Sequence, residues 1–131
     1  MSIPNIADML ALHGRQRPWQ TAIVHGTDSI NYQNLDLQVS RRAATLQVLG
    51  VKPGDIVGIA LEDSIEHLLM MYAVARAGAV ILPLDCRWKT FEKQRVAQHF
   101  KPVLVMVEPG QGVEGVHCIE ANNAWTMSLE T

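Results

Sequence analysis

Two rhythms of apolar residues alternate along the chain. In one, apolar positions recur three or four residues apart, as on one helix face; in the other they run unbroken, as in a strand covered on both sides. Ile6, Met9, Leu10 and His13 predict a short helix over 6–13, with Asn5 as its cap and Gly14 and Pro18 as its stop. Residues 22–25 and 29–31 are β-prone and flank Gly26-Thr27-Asp28, which predicts a hairpin. Asn31 then caps a helix with the stripe Leu35, Val39, Ala43, Leu46 and Leu49, and Ile30 and Leu35 stand at its staple positions. Gly50 is placed to end that helix in a left-handed conformation, Val51 to fold back on its last turn, and Pro53 to forbid continuation.

The middle of the chain repeats this design. Residues 55–61 are an apolar run without alternation, a strand buried on both faces. Asp63 and Glu66 form a capping pair for a helix carrying Ile65, Leu68, Leu69, Tyr72 and Ala73, closed by Gly78. Residues 80–84 predict the next strand, and Pro83 puts its end at a sheet edge or on the way out of the sheet, because proline lacks a ladder donor. Thr90 is read as the cap of a helix with Phe91, Val96 and Phe100 inward, stopped by Lys101-Pro102. Residues 103–107 and 116–119 predict two more strands, and the tail over 120–131 has no strong period. Strands alternating with helices predict an α/β fold, a mostly parallel sheet flanked by helices. No low-complexity linker divides the chain, so residues 1–131 are taken as one domain. Sites in such sheets lie at the carboxyl ends of the strands where strand order reverses, a point the sequence does not locate.

Composition narrows the function. With 48% hydrophobic and 18% charged residues and a net charge of −2, the chain has no footprint for nucleic acid or an anionic membrane surface. Aromatics at 5% give no stacking platform for bases. No apolar run approaches the roughly 20 residues of a membrane span. Cys86 and Cys118 form no CxxC pair and are read as free thiols, so a cytoplasmic location is expected.

The most nucleotide-like feature is Gly110-x-Gly112-x-x-Gly115, directly after an apolar strand. A dinucleotide fingerprint needs a helix to follow, with its N-terminus facing the pyrophosphate. Here β-prone Val116-His-Cys-Ile119 follows, Pro109 removes a donor, and Glu130 lies in the unpatterned tail. The triplet is therefore read as a strand-to-strand connection. Gly50, Gly54 and Gly58 fall on a helix stop, a turn and a strand, and share no face. The histidines (His13, His25, His67, His99, His117) show no metal-ligand spacing. Ser64 and His67 lack a third orienting group, and Ser64 is read as a first-turn residue. Glu62, Asp63 and Glu66 suit a helix N-terminus, and Arg41-Arg42 is read as a solvated helix face.

Three segments in order resemble a known family. Ile30-Asn-Tyr-Gln-Asn-Leu35 resembles the "L-T-Y-x-E-L" segment of adenylate-forming enzymes, the superfamily of acyl-CoA synthetases, luciferases and peptide-synthetase adenylation domains. Residues 49–66 are similar to its "G-V-x-x-G-D-x-V-x-I…N-S-x-E", and residues 74–85 to its "x-K-A-G-A-x-x-x-P-L-D". The resemblance covers about residues 3–108 and implies the N-terminal subdomain of the acyl-CoA synthetase fold. The implied activity is attack of a carboxylate on ATP, giving an acyl-adenylate and pyrophosphate, then displacement of AMP by a thiol, often coenzyme A. ATP, Mg2+ and CoA are thus implied for the full enzyme, with a carboxylic acid as substrate. The family's Ser/Thr/Gly-rich phosphate loop, its acidic ribose-binding residue and its C-terminal-domain lysine have no counterpart here. The chain is accordingly expected to be an N-terminal piece, inactive alone, with the remainder of the synthetase as its partner. Exposed apolar surface cut from that partner is expected to make the isolated piece self-associate as a dimer. Two alternatives stay open: a free-standing interaction relic of the fold, and a Rossmann-type nucleotide-binding module of an oxidoreductase.

The subfamily is read after Pro83. Peptide-synthetase domains resemble "P-x-D-P-x-Y-P-x-E-R" there, and acyl- and aryl-CoA synthetases "P-L-N-P-R-L-T-x-x-E". This chain reads Pro83-Leu-Asp-Cys-Arg-Trp-Lys-Thr90, keeping the arginine and lacking the second and third prolines. The resemblance is therefore to the fatty-acid-CoA ligase type, and it implies that Arg87 meets a phosphate of the CoA nucleotide, a role suited to a fixed charge and forked donors. No catalytic residue and no metal ligand is assigned. Asp63 stands where the family has Asn, and Asn34 where it has a capping Glu. Trp88 and Phe91 enlarge the Arg87 loop, offering surface to a neighbouring domain or to the adenine of CoA.

Overall fold

The computed structural model describes residues 5–121. In chain order the elements are α1 (Asp8–Gln16), β1 (Thr21–His25), β2 (Asp28–Asn31), α2 (Tyr32–Val48), β3 (Ile56–Ala60), α3 (Ile65–Arg76), β4 (Val80–Pro83), α4 (Thr90–Phe100), β5 (Leu104–Val107) and β6 (Cys118–Glu120). Strands β1 and β2 form an antiparallel hairpin, with Gly26 at φ 61 in its tight turn. The other four make a parallel sheet in the order β4-β3-β5-β6. The α/β architecture and the parallel pairing follow the expectation, and Pro83 lies on the edge strand.

The unbroken apolar runs are explained by which side of the sheet each residue meets. Val57 and Ile59 of β3, with Leu104 and Met106 of β5, face α2 and α3 in the larger core, alongside Leu35, Val39, Leu46, Leu69 and Met70. Ala60, Val105 and Val107 face the other way with Leu82 and Leu84, and Val96 of α4 packs on them. Gly58 is needed at that second face, since a Cβ there would stand 2.9 Å from Val105 Cγ2.

Local signals set the helix ends, with instructive departures. Asn31 caps α2 by accepting the Asn34 N–H at 2.8 Å. Gly50, at φ 95, donates to Gln47 O, and Val51 donates to Leu46 O at 3.0 Å, the paired contacts of a Schellman stop. Gly78 ends α3 the same way, with Ala79 bonding to Val74 O. Gly14, in contrast, does not stop α1, which runs on to Gln16. A Cβ at Gly14 would sit 3.2 Å from Asp36 Cβ, so the glycine lets α1 approach α2 closely. Asn5 sits before the cap position, which Ala7 holds, and its Oδ1 accepts the Ala7 N–H. Ile6 and Met9 are exposed, and Leu10 carries the burial of the predicted stripe.

Three further expectations are corrected. The cap of α3 is Ser64, whose hydroxyl accepts the His67 N–H at 3.1 Å, and not the Asp63–Glu66 pair. Glu66 turns away from the cap to meet Arg42, which is 4% exposed and no part of a solvated face. Arg42 Nε and Nη2 bind the two Glu66 oxygens at 2.9 and 2.6 Å, and Nη1 binds Gln38 Oε1 at 2.8 Å. In α4 the cap position is Lys89, with no side-chain cap bond, and Thr90 is the first helical residue. Phe91 and Phe100 are 58% and 48% exposed, while Lys93 and Ala97 take the buried positions of that helix. The chain leaves α4 through Lys101 in the left-handed conformation, φ 53, just before Pro102. The tail over 122–131, with Glu130, lies outside the described residues. No helix among the described residues is long and apolar enough to cross a membrane.

Candidate functional site

Strand order now places the site. From β3 the chain crosses through α3 to β4 on one side, then returns through α4 past β3 to β5 on the other. The order reverses at β3, and ligand crevices form beyond the carboxyl ends of strands at such a point. At the β3–β5 junction the Glu62 N–H donates to Glu108 Oε1 at 3.0 Å, closing that gap. Beside it, over the ends of β3 and β4, opens a cleft of about 600 Å³ lined by Glu62, Asp63, His67, Asp85, Arg87 and Trp88 among others.

Arg87 stands at the rim of this cleft on the β4–α4 loop, its side chain 86% exposed. One edge of its guanidinium is engaged within the loop. Its Nε donates to Asp85 Oδ1 at 3.0 Å, its Nη2 to Asp85 Oδ2 at 2.9 Å, and its own N–H to Oδ1 at 2.9 Å. Hydrogen bonds from the guanidinium and then from this amide hold the Asp85 carboxyl at about 2, against an ordinary 3.8. The same carboxylate raises the Arg87 guanidinium further above its ordinary range. Sequence reasoning named the arginine and missed its partner. The missed signal was the Asp-x-Arg spacing in a short loop, where an Asx-type turn folds the side chain back on the backbone.

The other candidate groups are drawn apart or otherwise used. The Ser64 hydroxyl caps α3 through the backbone of His67 and donates to Glu62 O, so it forms no nucleophile–base pair with the imidazole. Glu66 is bound to Arg42. Among the described residues no three His, Cys, Asp or Glu side chains gather as a metal site. Cys86 and Cys118 are free thiols, and Cys118 Sγ accepts the Val113 N–H. The Gly110–Gly115 segment joins β5 to β6 with no helix between them. Its Gly110 N–H is taken by Glu120 Oε1, so it builds no pyrophosphate cradle.

Known proteins place this arrangement in a family. The AMP-binding enzyme family matches residues 10–130, past the Gly110 segment and well beyond residue 108. The chain is 38% identical over 73 residues to malpibaldin synthetase of Mortierella alpina, covering 56% of this chain and 1% of that protein. It is 31% identical over 103 residues to phosphinothricin tripeptide synthetase PhsC of Streptomyces viridochromogenes, covering 74% of this chain and 10% of that protein. The chain thus spans a tenth or less of the length of these two relatives. In fold it is similar to the N-terminal domain of FACL13 from Mycobacterium tuberculosis, with a TM-score of 0.85 at 22% identity, over 98% of this chain and 36% of that one. The helix-flanked parallel sheet, its cleft at the strand ends and the match across residues 10–130 lead to one assignment: the chain belongs to the AMP-binding enzyme family and has the fold of the N-terminal subdomain of adenylate-forming enzymes.

Proposed function

We propose that these residues are the N-terminal part of an ATP-dependent, AMP-forming acyl-CoA synthetase, which activates a carboxylate as its acyl-adenylate and passes the acyl group to the thiol of coenzyme A. The family supports adenylate chemistry. The observation carrying the choice of thiol is Arg87 at the cleft rim, in a loop that keeps the arginine and lacks the third proline of the peptide-synthetase pattern. The described residues offer no three-ligand metal set and the sequence holds no Ser/Thr/Gly-rich phosphate loop with a lysine, so neither Mg2+ nor the ATP phosphates are assigned to this chain. Its part is to shape the cleft and hold a cation at its edge. Adenylate formation then requires the remainder of the synthetase.

A second reading is favoured by the names of the matched relatives, among them a tripeptide synthetase: the acceptor thiol belongs to a peptide-synthetase assembly. One experiment on the full-length enzyme separates the two. Acid-dependent exchange of pyrophosphate into ATP identifies the carboxylates that form adenylate, and each is then offered CoA. Thioester formation is expected, with Arg87→Ala raising the KM for CoA about tenfold, the scale of one lost charge-assisted contact. Exchange without any CoA thioester supports the second reading. An unchanged CoA KM removes Arg87 from the site.

A further inference from the structure

Asp85 stands where an external anion would stand. Its two oxygens take the Arg87 fork side by side, at 3.0 and 2.9 Å, the geometry by which a guanidinium recognises carboxylate or phosphate. A second cation acts on the same carboxylate: the charge of Lys93, one turn into α4, favours its ionised form. Lys93 is only 6% exposed, and its side chain makes no hydrogen bond or ion pair among the described residues. Two cations thus act on one carboxylate beside the cleft, and the Arg87 fork grips it directly.

We propose that Asp85 is an internal competitor for the Arg87 fork, and that a phosphate of the acceptor's nucleotide binds at the cleft rim by displacing it. The proposal rests on the reading of Arg87 as a CoA contact and adds a residue that sets how tightly CoA is held. The contact is poised for exchange. Arg87 is largely in water and the Asp85 side chain is 30% exposed, so the pair is weak and the freed carboxylate returns to solvent. A phosphate brings more negative charge and more acceptor oxygens to the same fork, and outcompetes one carboxylate.

The test is a double-mutant cycle on the full-length enzyme, reading the KM for CoA and, separately, for pantetheine, a thiol without the nucleotide phosphates. Asp85→Asn keeps an oxygen for the Arg87 amide and removes the charge. It is expected to lower the CoA KM about two- to fivefold, the scale of releasing an exposed ion pair. Arg87→Ala raises it, Asp85→Asn has no effect in the Arg87→Ala background, and neither shift occurs with pantetheine. A raised KM in Arg87→Ala with none lowered in Asp85→Asn overturns the competition and leaves the CoA reading standing. An equal decrease with and without Arg87 also overturns it, because Asp85 then acts through the general field. An unchanged CoA KM in Arg87→Ala removes both.

Discussion

At the scale of single residues, the Asp85–Arg87 pair has a consequence in the pH dependence of the protein. The folded carboxyl titrates at about 2, below its ordinary 3.8. A depressed carboxyl pKa contributes stability above the unfolded value and loses it as pH falls through the folded one. The pair is therefore intact at neutral pH and is lost as the pH falls from about 4 toward about 2. Following the Asp85 side-chain carboxyl by NMR titration should give a midpoint near 2, moving toward 3.8 in Arg87→Ala. A wild-type midpoint already near 3.8 means that the fork does not persist in solution. Because Arg87 is so exposed, added salt should also raise the midpoint.

At the scale of elements, the contact between α2 and α3 shows what a helix-by-helix reading misses. Arg42 and Glu66 are 24 residues apart and lie on different helices, yet they form a two-bond ion pair behind the sheet. Read within its own helix, Arg42 looks solvated and Glu66 looks like a capping residue; packing the two helices brings them together. Arg42→Ala should cost about 1–3 kcal/mol, since it leaves a part-buried carboxylate and Gln38 without their donor. Chemical denaturation of the domain measures this, and adding Glu66→Gln should recover part of the loss by removing the stranded charge. No change in Arg42→Ala would show that the pair contributes nothing net.

The whole molecule leaves an apolar face uncovered. Ile6 just before α1, Met9 of α1, Val24 of β1 and Leu68 of α3 are exposed around two adjoining hollows of about 240 and 270 Å³, which share Ile23 and Leu68. Surface of this kind associates in water. The isolated chain should therefore dimerise, and Val24→Asp should shift it toward monomer in light scattering. Monomeric behaviour of the wild type at high concentration would contradict the idea, and an unmoved Val24→Asp equilibrium would place the contact elsewhere.

The sequence by itself determined the order and type of the elements from β1 to β6 and the α2 and α3 stops, and it narrowed the Pro83 end of β4 to an edge or an exit from the sheet. Each of these depends on neighbours a few residues away: a glycine able to take positive φ, an Asn able to accept an amide two or three positions on, a proline without a donor. Family membership was legible for the same reason, because its motifs are that local punctuation in a fixed order. Tertiary structure alone decided how far α1 runs, since Gly14 suits the nearness of Asp36 and does not mark a helix end. It also decided that Lys93 and Ala97, rather than Phe91 and Phe100, take the buried positions of α4, that Arg42 is buried, and that Arg87 is held by Asp85 at the rim of a cleft between two strand ends. These depend on distances between segments far apart in the chain or on the path of a loop, and the spacing of apolar residues along one element carries no record of either.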